Sequence, residues 1–266
     1  MNQPLAYVHP DAKIAQNVTI EPFSTIYENV EIGEGTWIAP HVTIMAGARI
    51  GKNCRIFPGA VVSAVPQDLK FAGEDTLVVI GNNTTIRECV TINRGTSASL
   101  QTSIGNNCLV MAYVHIAHDC HIGNNCILVN SVQLAGHVEI DDFVLVGGTS
   151  AVHQFVRIGK HAMIPGGSLV RKDVPPYTKP TREPLRYTGV NAIGLRRRGF
   201  SGEQIDAIKE VYRALYLKGM NVSQAVEAIK QEITPSPERD EILNFIAKAE
   251  RGIIGSARNK KDKDSE

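Results

Sequence analysis

The sequence is poor in several features that mark common classes of protein. Of its 266 residues only one is tryptophan and five are cysteine. An odd number of cysteines with no C-x-x-C pair argues against a disulfide framework and against a zinc ribbon. The net charge is only +1, from 28 Lys and Arg against 27 Asp and Glu. The chain therefore has no overall charge that would attract nucleic acid or an anionic membrane surface.

Long apolar runs are also missing. No stretch approaches the roughly 18 apolar residues that a membrane span requires. The N-terminal segment MNQPLAYVHPDAK has no basic region followed by an apolar run, so we do not expect it to be a signal peptide. We therefore expect a cytoplasmic protein with reduced thiols, no membrane span and no nucleic-acid partner.

What the sequence does contain is a period of six. Steps of six from Val8 to Val170 visit 28 positions, of which 25 are Ile, Val or Leu; the exceptions are Asp68, Glu74 and Ala98. Neither a helix nor an ordinary strand has this period. A parallel β-helix does, because its successive coils stack like residues on like. Three hexads make one coil, so we predict a mainly β fold, a triangular prism with the aliphatic side chains inside.

Two segments interrupt the repeat without changing its phase. Residues 63–79 carry charges and a proline, and residues 94–103 are polar. We predict that both are loops extruded from the prism, where function tends to reside. Four of the five cysteines stand four residues after an aliphatic position, where we expect small buried side chains; they are Cys54, Cys108, Cys120 and Cys126.

Helical signals follow the last hexad. Ser201 and Gln204 fit a capping box at the start of a first helix, a second helix is predicted from about Ser223 to Ile233, and a third from about Pro237 to Glu250. We assign residues 1–187 to the β-helix, 188–256 to a small C-terminal α-helical domain, and 257–266 to a disordered charged tail.

A coil of three hexads converts sequence spacing into geometry, because residues i and i+18 stack about 5 Å apart. The columns predicted around the densest histidine segment are His118, Gly136 and Gln154; Asp119, His137 and Phe155; and Ala117, Ala135 and His153. Three histidines therefore converge beside Asp119. His118 is a candidate general base, since imidazole titrates near neutral pH and a carboxylate fixes its tautomer. The Gly136 N–H can approach a substrate oxyanion.

Six segments make the sequence similar to a known family. They are QDLKFAGE (67–74), VHIAHDC (114–120), LAGHV (134–138), AVHQF (151–155), DVPPY (173–177) and GVNAIGLRRRGFS (189–201). In these segments the chain resembles the UDP-N-acetylglucosamine O-acyltransferases, which are left-handed β-helix proteins with hexapeptide repeats. The resemblance covers almost the whole chain and implies the left hand of the coil. It also implies a homotrimer with active sites between subunits.

The resemblance implies a reaction and two partners. An (R)-3-hydroxyacyl group passes from acyl carrier protein to the 3-hydroxyl of UDP-N-acetylglucosamine, the first acylation of lipid A synthesis. By this resemblance His118 is the base, Asp119 orients it and the Gly136 N–H stabilises the oxyanion; no metal and no other cofactor is expected. The residues that the resemblance places against the substrates are Gln67, Asp68, Lys70, His115, His137, His153, Gln154, Gly166, Asn191 and Arg197.

Two positions bear on specificity within the family. Gly166 falls where the family sets acyl length, and a small residue there leaves the groove open for a long chain. Ile193 stands where the family often has an acidic residue, so one contact to the nucleotide is missing or replaced. The Arg196, Arg197 and Arg198 run is either a solvated basic face or a site for phosphate or for the acidic carrier protein.

Several alternatives stay open at this point. One is a 3-amino sugar nucleotide as the acceptor; another is the related N-acyltransferase, which carries an extra N-terminal domain whereas the hexads here begin at Val8. A binding or structural β-helix would carry histidines only as surface residues at its corners. A zinc hydratase would use three histidine ligands, and His115, His118 and His121 are spaced by three, but without the carboxylate-rich pattern of hydratases.

Overall fold

The computed structural model describes residues 4–257, and its first part is built from very short strands. In chain order the 25 strands of the described residues are β1 Tyr7–Val8, β2 Lys13–Ile14, β3 Thr19–Ile20, β4 Thr25–Ile26, β5 Glu31–Ile32, β6 Trp37–Ile38, β7 Thr43–Ile44, β8 Ala48–Ile50, β9 Arg55–Ile56, β10 Val61–Ala64, β11 Leu77–Ile80, β12 Thr85–Ile86, β13 Thr91–Asn93, β14 Gln101–Ile104, β15 Leu109–Val110, β16 His115–Ile116, β17 His121–Ile122, β18 Ile127–Leu128, β19 Gln133–Leu134, β20 Glu139–Ile140, β21 Leu145–Val146, β22 Ala151–Val152, β23 Arg157–Ile158, β24 Met163–Ile164 and β25 Leu169–Val170.

Each strand pairs in parallel with the strand three places further along the chain. The pairing gives three sheets: sheet 1 contains the nine strands from β1 to β25, sheet 2 the eight from β2 to β23, and sheet 3 the eight from β3 to β24. The chain therefore passes from sheet 1 to sheet 2 to sheet 3 in every coil. Three sheets wound in this order form the triangular prism of a parallel β-helix. The predicted fold class, a left-handed parallel β-helix followed by a small helical part, is confirmed.

The hexad positions form the core of the prism. From Ile20 to Val170 every aliphatic residue of the series is at most 4% exposed, because each one points inward and stacks on its counterpart in the next coil. Cys54, Cys108, Cys120 and Cys126 are free and buried, as predicted, and the fifth cysteine, Cys89, is exposed.

Both predicted loops are shorter than expected. Strands β10 and β11 extend into 63–79, and β14 extends into 94–103, so the segments outside strands are 65–76 and 94–100. The strands lengthen because the chain keeps pairing as it leaves and re-enters the prism; Leu77 to Ile80 pair residue by residue with Gln101 to Ile104. Both segments connect a strand of sheet 1 to a strand of sheet 2. They therefore emerge one above the other at the same edge of the prism, which we call edge 1–2.

The C-terminal part is helical, with one helix more than predicted. The helices are α1 Ala192–Arg197, α2 Gly202–Leu217, α3 Val222–Glu232 and α4 Pro237–Ala247. The capping box of Ser201 and Gln204 is present at α2. The third predicted helix ends early because the Lys248 N–H turns back to the carbonyls of Phe245 and Ile246. No helix among residues 4–257 is both long and apolar enough to cross a bilayer.

Residue 187 does not separate the contacts of the prism from those of the helical part. Leu185 and Ile254 pack in the core of the prism, whereas Tyr177 packs in the core of the helices. The backbone of Asp173 also pairs with Ile253. The division at 187/188 stays a prediction, and of the predicted tail 257–266 all but Ala257 lies outside the described residues.

Candidate active site

Edge 1–2 carries the predicted histidine–carboxylate pair just beyond the two extruded segments. The chain turns from β16 to β17 through residues 117–120, and Asp119 takes the left-handed position of this turn, with φ of 58°. The Asp119 N–H donates to Thr102 Oγ1 at 2.9 Å. His118 Nδ1 then lies 2.8 Å from Asp119 Oδ2. The turn conformation therefore brings two consecutive side chains into contact with each other.

Asp119 is held by residues of the segment 94–100. Its Oδ1 accepts hydrogen bonds from the Thr96 N–H at 2.9 Å and the Ser99 hydroxyl at 2.6 Å, and its Oδ2 accepts one from the Thr96 hydroxyl at 2.7 Å. Burial favours the neutral acid, but the hydrogen bonds from Ser99, Thr96 and His118 outweigh it and hold the pKa of Asp119 well below its usual range. A buried, ionised carboxylate therefore faces His118.

Gly136 lies directly against the His118 ring. A Cβ at this position would lie 2.6 Å from His118 Cε1 and 2.8 Å from Nε2, so any side chain here would have to displace the ring. Within residues 4–257 the Gly136 N–H donates no hydrogen bond, and His118 Nε2 has no partner. The His118 side chain is 15% exposed. A proton acceptor and a free N–H donor thus lie side by side on an accessible surface.

His137 completes the cluster in the next coil. Its ring meets the His118 ring edge-on at 5.1 Å and stacks on Phe155 at 4.5 Å, while its Nε2 lies 3.8 Å from Asp119 Oδ2. Burial lowers its pKa, against the opposing attraction of Asp119. The stacking predicted from the period is present, since the His137 N–H donates to His118 O and the Phe155 N–H to Gly136 O.

Other predicted residues lie around this cluster at edge 1–2. The charge of Asp68, on the segment 65–76, acts to raise the pKa of His137, against the larger effect of burial, which lowers it. Asp68 is half-buried, and its Oδ1 accepts the Lys70 N–H. Gln67 and Lys70 are exposed beside it.

His115, His153 and Gln154 lie in adjacent strands and turns. His115 Nδ1 is 2.8 Å from Thr91 Oγ1, and burial, together with the charge of His118, lowers its pKa. His153 and Gln154 are exposed in the turn from β22 to β23, and His153 Nδ1 lies 3.1 Å from Gln154 O.

Three predicted residues lie on the other edges of the prism. Asn191 caps α1, where its Oδ1 accepts the Gly194 N–H, and its Nδ2 donates to His161 O at 3.1 Å; His161 belongs to the turn from β23 in sheet 2 to β24 in sheet 3. Arg197 is exposed in α1. Gly166 lies on the turn from sheet 3 to sheet 1. One chain therefore does not bring these residues to the His118 cluster.

A metal could in principle be held by His118, Asp119 and His137, whose ligand atoms lie within 4.8 Å of one another. Both oxygens of Asp119 are, however, already engaged by Thr96, Ser99 and His118, so a metal would have to displace these bonds. The zinc alternative named from spacing is not assembled, because His115 lies in sheet 1 with Thr91 and His121 in sheet 2 with Ser103. The cluster fits proton transfer better than metal binding.

A groove of about 720 Å³ starts at this cluster and follows sheet 2 towards the helices. Its lining includes Asp119 and His137 of the cluster, Arg157 and Asp173, and Lys248, which follows α4. Asp173 is fully buried, and burial raises its pKa. The cluster is therefore continuous with a cleft large enough for an extended small molecule.

Sequence reasoning missed the residues that hold Asp119. Thr96 and Ser99 belong to a segment that the period does not describe, and Thr102 follows it in β14. The only signal was that residues 94–103 are polar and interrupt the hexads.

Comparison with known proteins gives one consistent family. The family model described as Udp N-acetylglucosamine O-acyltransferase; Domain 2 matches residues 173–254, and the bacterial transferase hexapeptide (six repeats) model matches 29–64 and 101–136. The acyl-(acyl-carrier-protein)–UDP-N-acetylglucosamine O-acyltransferase of Myxococcus xanthus is 48% identical over 251 residues, which are 94% of this chain and 97% of that protein.

Two solved structures share the fold over nearly their full length. The UDP-N-acetylglucosamine acyltransferase from Bacteroides fragilis superposes with a TM-score of 0.93 at 50% identity, covering 96% of this chain and 100% of that one. The enzyme from Francisella novicida gives a TM-score of 0.93 at 45% identity, covering 97% and 95%.

Proposed function

Because the chain belongs to the UDP-N-acetylglucosamine O-acyltransferase family, we propose that it transfers an (R)-3-hydroxyacyl group from acyl carrier protein to the 3-hydroxyl of UDP-N-acetylglucosamine. This would be the first acylation of lipid A synthesis. The chemistry rests on one observation: His118, anchored to a buried ionised carboxylate, presents its Nε2 beside the N–H of Gly136, and neither group has a hydrogen-bond partner among residues 4–257.

The proposed reaction needs one base and one oxyanion donor. His118 Nε2 takes the proton of the sugar 3-hydroxyl as that oxygen attacks the thioester carbonyl. The carbonyl oxygen becomes an oxyanion, which accepts a hydrogen bond from the Gly136 N–H. When the tetrahedral intermediate collapses, the C–S bond breaks and the leaving thiolate takes the proton from His118. An ester and a free carrier thiol result, and His118 returns to its neutral state.

Asp119 would serve this cycle by fixing one tautomer of His118. An ionised carboxylate at Nδ1 favours the N–H on that nitrogen and leaves Nε2 as the acceptor. The same carboxylate stabilises the imidazolium that forms during the transfer. We assign His137, which lies beside the dyad, and Gln67, Asp68 and Lys70 of the segment 65–76 to contacts with the substrates.

We further propose that the active protein is a homotrimer with its sites between subunits. The support is the distribution of the assigned residues over three edges: His118 at edge 1–2, Asn191 beside the turn from sheet 2 to sheet 3, and Gly166 between sheets 3 and 1. One nucleotide and one acyl chain can touch all of them only if neighbouring prisms contribute different edges. Asn191 and Arg197 would then bind the nucleotide of a site whose base belongs to the next subunit.

Two finer assignments belong to the same proposal. Gly166 is exposed, and a missing side chain there leaves room for a long acyl chain. A cytoplasmic location is supported by five free cysteines, since oxidising compartments favour disulfides.

The test is to identify the product. Purified protein is incubated with acyl carrier protein charged with short or long (R)-3-hydroxyacyl chains, and with UDP-N-acetylglucosamine or its 3-amino analogue as acceptor; the products are read by mass spectrometry. We expect an alkali-labile ester on UDP-N-acetylglucosamine, formed fastest with a long chain. An amide formed on the 3-amino analogue alone would overturn the acceptor assignment, and a preference for the short chain would overturn the interpretation of Gly166.

A further inference from the structure

We propose that Thr96 and Ser99 are positioning residues of this reaction: they fix the orientation of Asp119 and set, through it, the basicity of His118. The inference rests on the proposed function of the His118–Asp119 pair. It assigns a role to the segment 94–100, for which the fold of the prism alone gives no reason.

The segment reaches the pair because of where it leaves the prism. Ile92 and Ile104 are successive core positions that stand two hexads apart instead of one, so one extra hexad is extruded at edge 1–2. The next coil passes the same edge at 117–120. The extra residues therefore fold over the turn that carries Asp119, whose side chain is 0% exposed.

The segment is held by hydrogen bonds within it and by one from the segment 65–76. The Leu100 N–H donates to Thr96 O at 2.8 Å, the Ala98 N–H donates to Thr96 Oγ1 at 3.2 Å, and the Thr76 hydroxyl donates to Gly95 O at 2.7 Å. Thr96 itself is 7% exposed. Its hydroxyl accepts from Ala98, so its proton is directed to Asp119. The donors are thus in place before any substrate binds.

The three donors are shared between the two oxygens of the Asp119 carboxylate. The Thr96 hydroxyl donates to Oδ2, the same oxygen that contacts His118 Nδ1. The Ser99 hydroxyl lies 2.6 Å from Oδ1, nearer than the 2.9 Å to Gln101 O, as expected for a bond to a charged acceptor. The Thr96 N–H is a third donor to Oδ1.

These donors have two effects on His118. They prevent the carboxylate from rotating, which keeps Oδ2 on Nδ1. They also draw negative charge away from the imidazolium, because every donor competes with Nδ1–H for the same anion. Loss of one hydroxyl should therefore raise the pKa of His118 and loosen its orientation. A residue that only stabilised the loop would change neither.

Among residues 4–257, His137 and His115 are titratable groups that lie near His118 in addition to Asp119. His137 lies in the next coil, and His115 in β16 is close enough for the charge of His118 to lower its pKa. Asp68, on the segment 65–76, acts on the same cluster through His137. A change at Thr96 or Ser99 leaves all three in place, so a shift in the titration of His118 reports on Asp119.

The experiment compares Thr96→Val and Ser99→Ala with Thr96→Ser, which keeps the hydroxyl. Ser103→Ala is the matched control, since Ser103 lies in the adjoining strand and contacts His121, 2.9 Å away, instead of the dyad. We expect the first two variants to lower kcat about tenfold, the effect of losing a hydrogen bond to a charged group, with KM for UDP-N-acetylglucosamine changed less than about twofold. Thr96→Ser and Ser103→Ala should stay close to the wild type.

The pH dependence separates positioning from folding. The acidic limb of kcat/KM should move to higher pH by roughly half a unit or more in Thr96→Val and Ser99→Ala. The titration of the His118 ring, followed by NMR with 13C-labelled histidine and assigned with His118→Ala, should move in the same direction. An unmoved limb and an unmoved ring titration overturn the proposal, whether kcat falls or not.

The ring titration also keeps this proposal distinct from the proposed function. If His118→Ala transfers acyl groups at the wild-type rate, the general-base function fails, yet a shifted titration in Ser99→Ala still shows that Ser99 controls the dyad. If His118→Ala is inactive and the titration is unshifted, only the role of Thr96 and Ser99 fails.

Discussion

His118 and Gly136 show at the scale of single residues how an absent side chain positions a present one. The imidazole occupies the space in which a Cβ of residue 136 would lie, only 2.6 Å from Cε1. The glycine therefore has two effects: it makes room for the ring, and its own N–H, which donates to no acceptor in the described part of the chain, lies beside that ring. Asp119 holds the same ring from its other nitrogen. Its left-handed turn conformation allows its carboxylate to form a hydrogen bond with the side chain of the preceding residue, His118.

Replacing Gly136 by Ala should displace the His118 ring and separate Nε2 from the oxyanion donor. We expect acyl transfer to fall by roughly a hundredfold, in line with the loss of a general base. The melting temperature should change little, because the ring can turn towards solvent. Gly202→Ala is the control, since nothing lies within 4 Å of its Cβ and it begins a helix far from the site. Equal activity of the two variants would contradict the account.

His161 makes a separate prediction about pH and stability. It is 6% exposed and stacks on Phe143 at 4.8 Å. Burial, and then the charges of Arg198 and Lys160, lower its pKa to about 4. Because the unfolded chain has a histidine pKa of about 6.5, the unfolded state binds more protons between these values. The free energy of unfolding should therefore fall as the pH drops through this window, by on the order of 2 kcal/mol at pH 5.

Urea unfolding at pH 7 and pH 5 measures this effect against His161→Phe, which keeps an aromatic ring between Phe143 and Tyr177. The variant should lose less stability than the wild type on acidification. The same loss in both proteins would show that His161 is not the group responsible.

At the scale of elements, the extruded segments 65–76 and 94–100 limit how much of the site can be predicted from the sequence. After the segment 94–100, stacked positions in successive coils are three hexads apart in the chain. The column of His118, Gly136 and Gln154 therefore follows from the period alone. Across the segments the offset changes: Val62 pairs with Ile92 and Ile92 with Ile116, offsets of five and four hexads. A loop has no period, and no spacing rule could place Thr96 or Ser99 against Asp119.

The helices show the same limit in another form. The Ser201–Gln204 signal predicts the start of the long helix α2, and the capping box is present there. The six-residue α1 was missed because it is too short to show a period. Asn191, assigned from family resemblance to the nucleotide, is also the residue that caps α1.

The capping box of α2 provides a prediction at this scale. Ser201 Oγ accepts the Gln204 N–H at 3.1 Å, and the Gln204 side chain accepts the Ser201 N–H at 3.0 Å while donating to Glu238 at 2.8 Å. Ser201→Ala should therefore lower the free energy of unfolding by about 1 kcal/mol. Ser223→Ala, at an exposed position inside α3, should be nearly neutral in the same urea titration. Equal effects of the two changes would contradict the role assigned to the cap.

At the scale of the whole molecule, the prism separates the parts of the proposed site. His118 lies at edge 1–2, whereas Arg197 lies in a helix whose cap contacts the turn from sheet 2 to sheet 3. A straight and rigid prism cannot bend to bring two of its edges together. The proposed trimer solves this problem, because adjacent prisms can present different edges to one cleft.

Mixing two inactive variants tests this arrangement. His118→Ala and Arg197→Ala should each transfer acyl groups poorly. Denatured together in equal amounts and refolded, they should regain about one quarter of wild-type activity, because random assembly pairs an intact His118 with an intact neighbouring Arg197 in that share of the sites. Activity no higher than that of the separate variants would show that both residues act within one chain.

The central claim is that His118 is the base of an acyl transfer, and one comparison tests it most directly. Rates of transfer from (R)-3-hydroxyacyl carrier protein to UDP-N-acetylglucosamine are measured in a single turnover for the wild type, for His118→Ala, and for His9→Ala as a control in the first coil. We predict that His118→Ala falls by a factor of roughly a hundred or more while His9→Ala is unaffected. An undiminished rate in His118→Ala would contradict the account.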